Sequence, residues 1–551
     1  MSRPGPRPAL EMSSAQWTTL CLVALASVVV VDLGRRRLKR QNLPSPYPLP
    51  PGPPPLPVVG NMHDINVKAP WLTYSKWSKM YGDLVYARLF DKDIIIISSR
   101  KIAKDLLEDR SINYSDRPNI ITNELFGVAF NTAYLPYGER WRRQRQFLHQ
   151  NFKANSASRF VPMQQRKVHQ LLHRLLDSPE RYSEHLLHYA SSVLTNAVYD
   201  YDPISDDHIV NTIGRVSELV TSALPPEVAA PLGAFPIILN IPSWFPGMTI
   251  KRNAEICREW TNDWVEVPFN HALQRMRDGS TTPAMVLDAL GTVDEKGASP
   301  RWLKDLKDSA ATAFLAAAGT SNATLLTFML AMVLYPEVQE KVHAQIDTVV
   351  GKDRLPTLDD RRSLTYIDAI MRETLRWHPL APLSLPHAAV NDDVYNGFYI
   401  PKGAAIITNI WAIAHDESTY PKPSDFNPER FLNPDGTLTS EDVIDIAFGY
   451  GRRICVGKDF ADTTLWSAMS TILALFKLSL PKDKDGREEP FKPEWATGIT
   501  SWVFASRHLR RICDLLLIMM LRYPLPFPCS FVPRIPSMDA KELEEIINAS
   551  T

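Results

Sequence analysis

The sequence predicts a mainly α-helical fold with a smaller β-rich portion. Apolar residues recur at helical spacing over three long stretches, at 303–334, 337–350 and 357–377. A β-hairpin is predicted at 83–99, where two runs rich in β-branched and aromatic residues are divided by a short polar turn. We see no internal repeat, so these elements are expected to belong to one large domain.

The composition describes a globular protein with a sizeable core. The 551 residues are 45% hydrophobic and carry a formal net charge of zero, so neither a basic nor an acidic excess points to nucleic acid. The five cysteines are odd in number and widely scattered, which is typical of a reducing compartment and not of a disulfide framework.

The N-terminus carries the features of a membrane anchor. An almost continuous apolar run at 17–33 is followed at once by the basic sequence RRRLKR at 35–40. Basic residues stay on the cytoplasmic side, so we expect residues 1–40 to form a single-pass signal anchor with the remaining chain in the cytosol. A buried N-terminal helix is the alternative reading of the same apolar run.

Residues 41–60 are rich in proline and are predicted to form a semi-rigid hinge in polyproline geometry. No later change in composition indicates a second domain. The sequence therefore predicts one catalytic domain over residues 61–551.

One cysteine has unusual neighbours. Cys455 lies in the sequence FGYGRRICVGKDF at 448–460, among glycines and two adjacent arginines and just before a predicted helix. A structural cysteine usually lies in an apolar run, whereas positive charge and open backbone favour a thiolate. The surroundings of Cys455 therefore predict a thiolate rather than a small core residue.

Two further segments carry paired charges. Glu373 and Arg376 are three residues apart in MRETLRWHP, so they share one helix face. Arg430 follows in FNPERF, inside a proline-bounded loop. Taken alone, the first pair would be an ordinary surface ion pair.

These three elements, in this order and spacing, resemble the cytochrome P-450 family of haem-thiolate monooxygenases. The cysteine segment fits the family's F-x-x-G-x-R-x-C-x-G pattern through Phe448, Gly451, Arg453, Cys455 and Gly457. The resemblance covers roughly residue 45 to the C-terminus and is greatest with membrane-bound fungal enzymes of secondary metabolism. It implies the cytochrome P-450 fold and a haem b cofactor.

The resemblance also implies roles for the quoted residues. Cys455 would be the axial iron ligand, while Glu373, Arg376 and Arg430 would form a buried structural network. The groups expected to bind the cofactor around Cys455 are Trp141, Arg145, His387, Arg453, Phe448, Gly451 and Gly457. Trp141 and Arg145 share a helix face, although a basic solvated helix explains that stretch equally well.

The predicted helix at 303–334 departs from the family pattern. Its sequence AAAGTS places Thr320 on the family's oxygen-activating threonine, so Thr320 is expected to be catalytic. Gly319 stands where the family has an acidic residue, and Ala317 replaces a usual glycine. Proton delivery would then depend on Thr320 and water, or the chemistry would be atypical.

The implied reaction is hydroxylation of an apolar small molecule with O2. Electrons would come from an NADPH–cytochrome P-450 reductase at the endoplasmic reticulum membrane, and the substrate would be a fungal secondary metabolite such as a terpenoid, polyketide or indole derivative. Arg142, Arg143 and Lys458 either contribute to a basic face for that reductase or are scattered surface charges. The apolar segment 235–248 is expected to contact the membrane, with a core loop as the alternative.

Residues 502–521 interrupt a match to similar fungal enzymes that resumes at Arg522. We interpret them as translated intron sequence, with a genuine lid or membrane-contact helix as the alternative. Two rival functions stay open at this point. One is a haem-thiolate isomerase or dehydratase that does not use O2, and the other is an inactive product spoiled by the insert.

Overall fold

A computed structural model describes residues 45–204, 232–293, 297–482, 485–487, 491–497, 522–535 and 538–550, together with positions 209, 212, 215–216 and 219–220. Two predicted features, the N-terminal anchor at 1–40 and the insert at 502–521, lie outside the described residues. The proline-rich hinge is described only from residue 45 onward.

Most of the described chain is helical. The ten longer helices are α1 Pro70–Tyr81, α2 Glu139–Phe152, α3 Val161–Asp177, α4 Tyr182–Tyr199, α5 Thr249–Arg277, α6 Pro300–Leu334, α7 Pro336–Val349, α8 Thr365–Trp377, α9 Lys458–Leu475 and α10 Ala540–Asn548. Short helices are Arg100–Lys104, Ser111–Tyr114, Ile121–Leu125, Ala154–Ala157, Met285–Gly291, Ile410–Ala414 and Ile444–Phe448.

Strands form a smaller part of the fold. They are β1 Leu84–Leu89, β2 Lys92–Ile97, β3 His387–Ala388, β4 Asp393–Tyr395, β5 Phe398–Ile400, β6 Ala405–Thr408, β7 Phe476–Ser479, β8 Trp495–Thr497, β9 Arg522–Pro524 and β10 Ser530–Pro533. The largest sheet has the order β1-β2-β6-β3, and the other strands pair in twos. The predicted mainly α fold with a small β portion is confirmed.

Helix α6 forms the centre of the domain. Ser299 caps its N-terminus by accepting a hydrogen bond from the Trp302 N–H at 3.2 Å, and Pro300 occupies the first turn. It ends at Leu334 because Tyr335 precedes Pro336, and a residue before proline disfavours helical backbone. Within the described part of the chain, α6 is one helix long and apolar enough to cross a membrane. Its apolar window is 83% buried, as expected of a core helix.

The predicted hairpin at 83–99 corresponds to β1 and β2, which pair antiparallel from Leu84 opposite Ile97 to Leu89 opposite Lys92. Residues 94–97 are all buried. Strand β2 pairs with β1 on one edge and with β6 on the other, while Ile95 and Ile97 pack in one hydrophobic cluster and Ile94 and Ile96 in another, so both of its faces are covered.

The third predicted helix is shorter than expected, since α8 begins at Thr365 and not at 357. Asp360 accepts hydrogen bonds from the Thr357 N–H at 2.9 Å and from Arg354 at 2.7 Å. These side-chain bonds favour a local turn over helix, and the chain becomes helical only after that turn.

Candidate functional site

The segment around Cys455 is held in a folded loop before α9. The helix Ile444–Phe448 ends at Gly449, which has a φ of +79°, and the Cys455 N–H donates to the Phe448 carbonyl at 2.8 Å. Gly451 has a φ of +56° and packs directly on the Leu107 carbonyl. The loop therefore depends on glycine, at Gly449 because of its positive φ and at Gly451 because a side chain would also not fit.

The Cys455 residue keeps accessible surface at the end of this loop. Surrounding atoms nonetheless desolvate its thiol. Burial raises the pKa of the Cys455 thiol, while the Gly457 N–H, Arg145 and Lys458 lower it. The sequence predicted a thiolate, and these groups alone do not outweigh burial. A bound metal ion would deprotonate the thiol outright.

Two arginines surround Trp141 beside the loop. The Arg145 guanidinium donates to the Ile454 carbonyl at 2.7 Å, next to Cys455. The Arg453 and Arg145 guanidinium carbons lie 4.4 Å and 5.5 Å from the Trp141 ring centroid, within cation–π range. The predicted cofactor-binding residues Trp141, Arg145 and Arg453 are therefore brought together.

A third arginine, Arg117, belongs to this cluster and was missed at the level of sequence. Its guanidinium donates to the Leu385 and Pro386 carbonyls, each at 2.7 Å. Burial and the neighbouring guanidinium groups lower the pKa of Arg453 to about 9, and burial lowers that of Arg117 to about 10. No carboxylate within the described residues forms an ion pair with Arg117, Arg145 or Arg453, although the nearby charge of Asp116 acts on Arg117 and Arg453.

His387 lies at the same place, in strand β3. Its Nδ1 is 2.7 Å from the Tyr114 carbonyl, so Nδ1 carries the proton and donates. Burial, together with Arg117, holds the pKa of His387 well below its usual value. The imidazole is therefore neutral at pH 7 and adds no positive charge to the three arginines.

Helix α6 presents one open face in its otherwise buried middle. Ala316 is exposed, and Ala313, Ala317 and Thr320 are half-buried, at the i, i+3, i+4 and i+7 spacing of one helix face. The Thr320 hydroxyl donates to the Ala316 carbonyl at 2.9 Å. Gly319 occupies the position at which the family has an acidic residue. It is buried, and as a glycine it has no side chain that could replace the acid.

Glu373, Arg376 and Arg430 meet in the core. The Arg376 Nε and Nη2 atoms donate to the two Glu373 carboxylate oxygens at 2.7 Å and 2.8 Å, and both side chains are 0% exposed. Arg430 Nε donates to Glu373 Oε1 at 3.1 Å, and Arg376 Nη1 bonds to the Ala414 carbonyl. The network joins α8 to the segments around 414 and 430.

The three basic residues considered for a docking face are all paired with acids. Arg142 pairs with Glu139, Arg143 Nε bonds Asp305 at 2.6 Å, and Lys458 pairs with Asp459. The segment 235–248, by contrast, exposes apolar side chains. Trp244 is 76% exposed and Ile237 74% exposed.

The comparisons with known proteins agree over most of the chain. The family model described as cytochrome P-450 matches residues 50–500. The cytochrome P-450 monooxygenase claR of Ampulloclitocybe clavipes is 34% identical over 533 residues, covering 96% of this chain and 93% of that protein. Tryptamine 4-monooxygenase of Psilocybe cyanescens is 33% identical over 524 residues, with 93% and 98% covered. The cytochrome P-450 monooxygenase ple1 of Rhodocybe pseudopiperita is 34% identical over 511 residues, with 91% of each chain covered.

Proposed function

Because the chain belongs to the cytochrome P-450 family, we propose that it hydroxylates an apolar small molecule, using O2 and electrons that an NADPH–cytochrome P-450 reductase delivers. The chain is an oxidoreductase of the haem monooxygenase class, as its relatives are. Their names weigh against the alternative of an isomerase or dehydratase that does not use O2.

The residues around Cys455 fit a haem b group. The observation that carries this proposal is the cluster of Arg117, Arg145 and Arg453 at the Cys455 loop, which has no ion-paired carboxylate in the described chain and only Asp116 as a nearby acid. Haem b carries two propionates, and a guanidinium matches a carboxylate in charge and in geometry. Cys455 would ligate the iron, while Trp141 and His387 would pack beside the propionates. Gly451, Gly457 and Phe448 would shape the loop.

The haem group supplies oxygen activation, and a thiolate ligand favours cleavage of the O–O bond. The residues of this chain would hold the cofactor and the substrate in place and would deliver protons to the site. Thr320 carries the hydroxyl on the open face of α6, and because this hydroxyl donates its proton to the Ala316 carbonyl, its oxygen can accept a hydrogen bond from water. We infer that Thr320 and water deliver protons there, since Gly319 has no side chain to do so.

The open face of α6 also indicates the substrate class. Three alanines next to Thr320 form a shallow, apolar wall without a charged group, which suits an apolar molecule. A fungal secondary metabolite such as a terpenoid, a polyketide or an indole derivative fits that wall. The name of the Psilocybe cyanescens relative, a tryptamine monooxygenase, supports the indole class.

We assign the protein to the endoplasmic reticulum membrane with its catalytic domain in the cytosol. The basic sequence at 35–40 supports this orientation. The exposed apolar side chains of Ile237, Trp244 and Phe245 support a second contact with the bilayer.

The test combines a spectrum with a turnover assay on the full chain. We expect the reduced protein with carbon monoxide to give the red-shifted Soret band of thiolate ligation, and Cys455→Ser to lose it. Product formation from a panel of terpenoids, aromatic polyketides and indoles should require NADPH, reductase and O2 together. Turnover without those three would contradict the monooxygenase assignment, and a parent protein that lacks the band would contradict the role of Cys455.

A further inference from the structure

The short segment Thr132–Leu135, which precedes α2, orients two of the clustered arginines. The Arg117 Nε donates to the Ala133 carbonyl at 2.9 Å. Arg453 Nη2 donates to the Leu135 carbonyl at 2.8 Å, and its Nη1 is 3.4 Å from the Thr132 carbonyl. The position of this backbone therefore helps to orient both guanidinium groups, together with the Leu385 and Pro386 carbonyls for Arg117 and the Ser115 carbonyl for Arg453.

Thr132 fixes the segment to the two neighbouring helices. Its N–H donates to Thr312 Oγ1 in α6 at 3.1 Å, and its hydroxyl donates to Gln144 Oε1 in α2 at 2.7 Å. All three side chains are buried, so these bonds do not compete with bulk water.

Gln144 and Thr312, the two partners of Thr132, both bond to Asp308, one to its side chain and the other to its backbone. Gln144 Nε2 donates to Asp308 Oδ2 at 3.3 Å, and Thr312 Oγ1 donates to the Asp308 carbonyl at 2.7 Å. The Asp308 carboxylate is buried, and it is neutralised from the surface side by Arg140 at 3.1 Å and Lys304 at 3.4 Å. Burial raises the pKa of Asp308, whereas Lys304 and Arg140 lower it.

The carboxylate gives the chain of hydrogen bonds a direction. An ionised carboxylate only accepts, so Gln144 must turn its NH2 group toward Asp308 and its oxygen toward Thr132. The Thr132 hydroxyl then has to donate to Gln144. An asparagine at 308 could donate as well as accept, and the direction of the whole chain would be lost.

We propose that Asp308 is a positioning residue for Arg453 and Arg117, acting through Gln144 and Thr132. The proposal rests on the proposed function, which assigns these arginines to the haem propionates. Through this network, Asp308 sets how firmly the cofactor is held and the potential at which it is reduced.

The experiment compares matched variants of the full-length, haem-loaded protein. Asp308→Asn and Thr132→Val remove the directing charge and the linking hydroxyl. Thr132→Ser keeps the hydroxyl. Asp305→Asn is the control, because Asp305 is an equally buried acid on the same helix that pairs with Arg143 outside this chain of bonds. The measurements are the rate of haem transfer to apomyoglobin, the haem reduction potential and the carbon-monoxide spectrum.

We expect Asp308→Asn and Thr132→Val to release haem about tenfold faster, the lower end of the effect typical of residues that hold a ligand in place, with the thiolate-type spectrum retained. Both should shift the reduction potential in the same direction, while Thr132→Ser and Asp305→Asn behave like the parent.

Parent-like release by Asp308→Asn and Thr132→Val, or equal effects of Asp305→Asn and Asp308→Asn, would overturn the proposal. If Asp308→Asn does not fold, the pair Thr132→Val and Thr132→Ser decides. A parent protein without the thiolate-type band would instead contradict the proposed function.

Discussion

The Leu107 carbonyl oxygen lies 1.9 Å from the point where a Cβ atom on Gly451 would be. No side chain fits at that distance, so the contact between Leu107 and Gly451 requires a glycine. The loop that carries Cys455 is thereby fixed against the segment before Ser111–Tyr114.

We predict that Gly451→Ala prevents stable cofactor binding, because the added methyl group must displace either the Leu107 carbonyl or the Cys455 loop. The control is Gly403→Ala, at another glycine with positive φ where a Cβ would meet nothing within 4 Å. That change should lower the free energy of unfolding by only about 1–2 kcal/mol, the cost of placing an alanine in left-handed backbone. The carbon-monoxide spectrum and the haem content of both proteins check the prediction. Equal haem content would contradict it.

We predict that Glu373→Ala lowers the free energy of unfolding by about 3–5 kcal/mol, because Arg376 and Arg430 would be left as buried, uncompensated cations. Urea denaturation of the purified protein measures the change. Glu184→Ala removes the exposed ion pair with Arg181 and serves as the control, for which no measurable change is expected. A similar, small loss in both variants would show that the Glu373 network is not a buried clamp.

The buried His415 predicts a loss of stability in mild acid. Burial, with a smaller effect of Arg376, lowers the pKa of His415 to about 3 from a usual 6.5. Below pH 6.5 the unfolded chain binds a proton that the folded protein does not, so stability falls as the pH is lowered from 6.5 toward 3. The slope is at most about 1.4 kcal/mol per pH unit for this group.

Urea denaturation between pH 7.5 and pH 5 tests this prediction. His415→Gln removes the titrating group and should give a shallower dependence on pH. Parallel curves for the parent and His415→Gln would exclude His415 as the source.

The pairing of β8 with β9 leads to a prediction for the segment 502–521. Thr497 is directly opposite Arg522 in this antiparallel pair. Deleting 502–521 leaves residues 498–501 between the partners, which is a common hairpin loop length. We predict that this shortened protein keeps the melting temperature of the full chain or exceeds it. Deleting 498–521 joins the two partners directly and should prevent pairing, so equal behaviour of both deletions would contradict the assigned register.

Local patterns predicted the helices well and the site only in part. The spacing of Glu373 and Arg376 was enough to place them on one face, because helix geometry is local. Arg117 gave no such signal: it lies in a loop before Pro118, and only the folded chain shows that it lies beside Arg453. Thr132, Gln144 and Asp308 come from three separate segments, so no window of sequence could join them.

The same limit explains the shorter α8. Apolar spacing over 357–377 is continuous, yet Asp360 accepts hydrogen bonds from Thr357 and Arg354, and the helix begins only at Thr365. A periodic pattern reports which face would be buried if a helix forms, and it does not report a competing side-chain bond.

The alanine face of α6 bears on how this enzyme can evolve, because the residues that face a substrate differ from those that stabilise the core. Ala316 is exposed, and Ala313 and Ala317 are half-buried at the edge of the core, whereas the residues behind them on the same helix are buried. An exchange at Ala316 can remodel the shape offered to a substrate with little change in the free energy of folding, whereas one at Ala313 or Ala317 also alters a contact with the core. A duplicated gene can thus acquire a new substrate in small steps, without first acquiring compensating mutations that restore the fold.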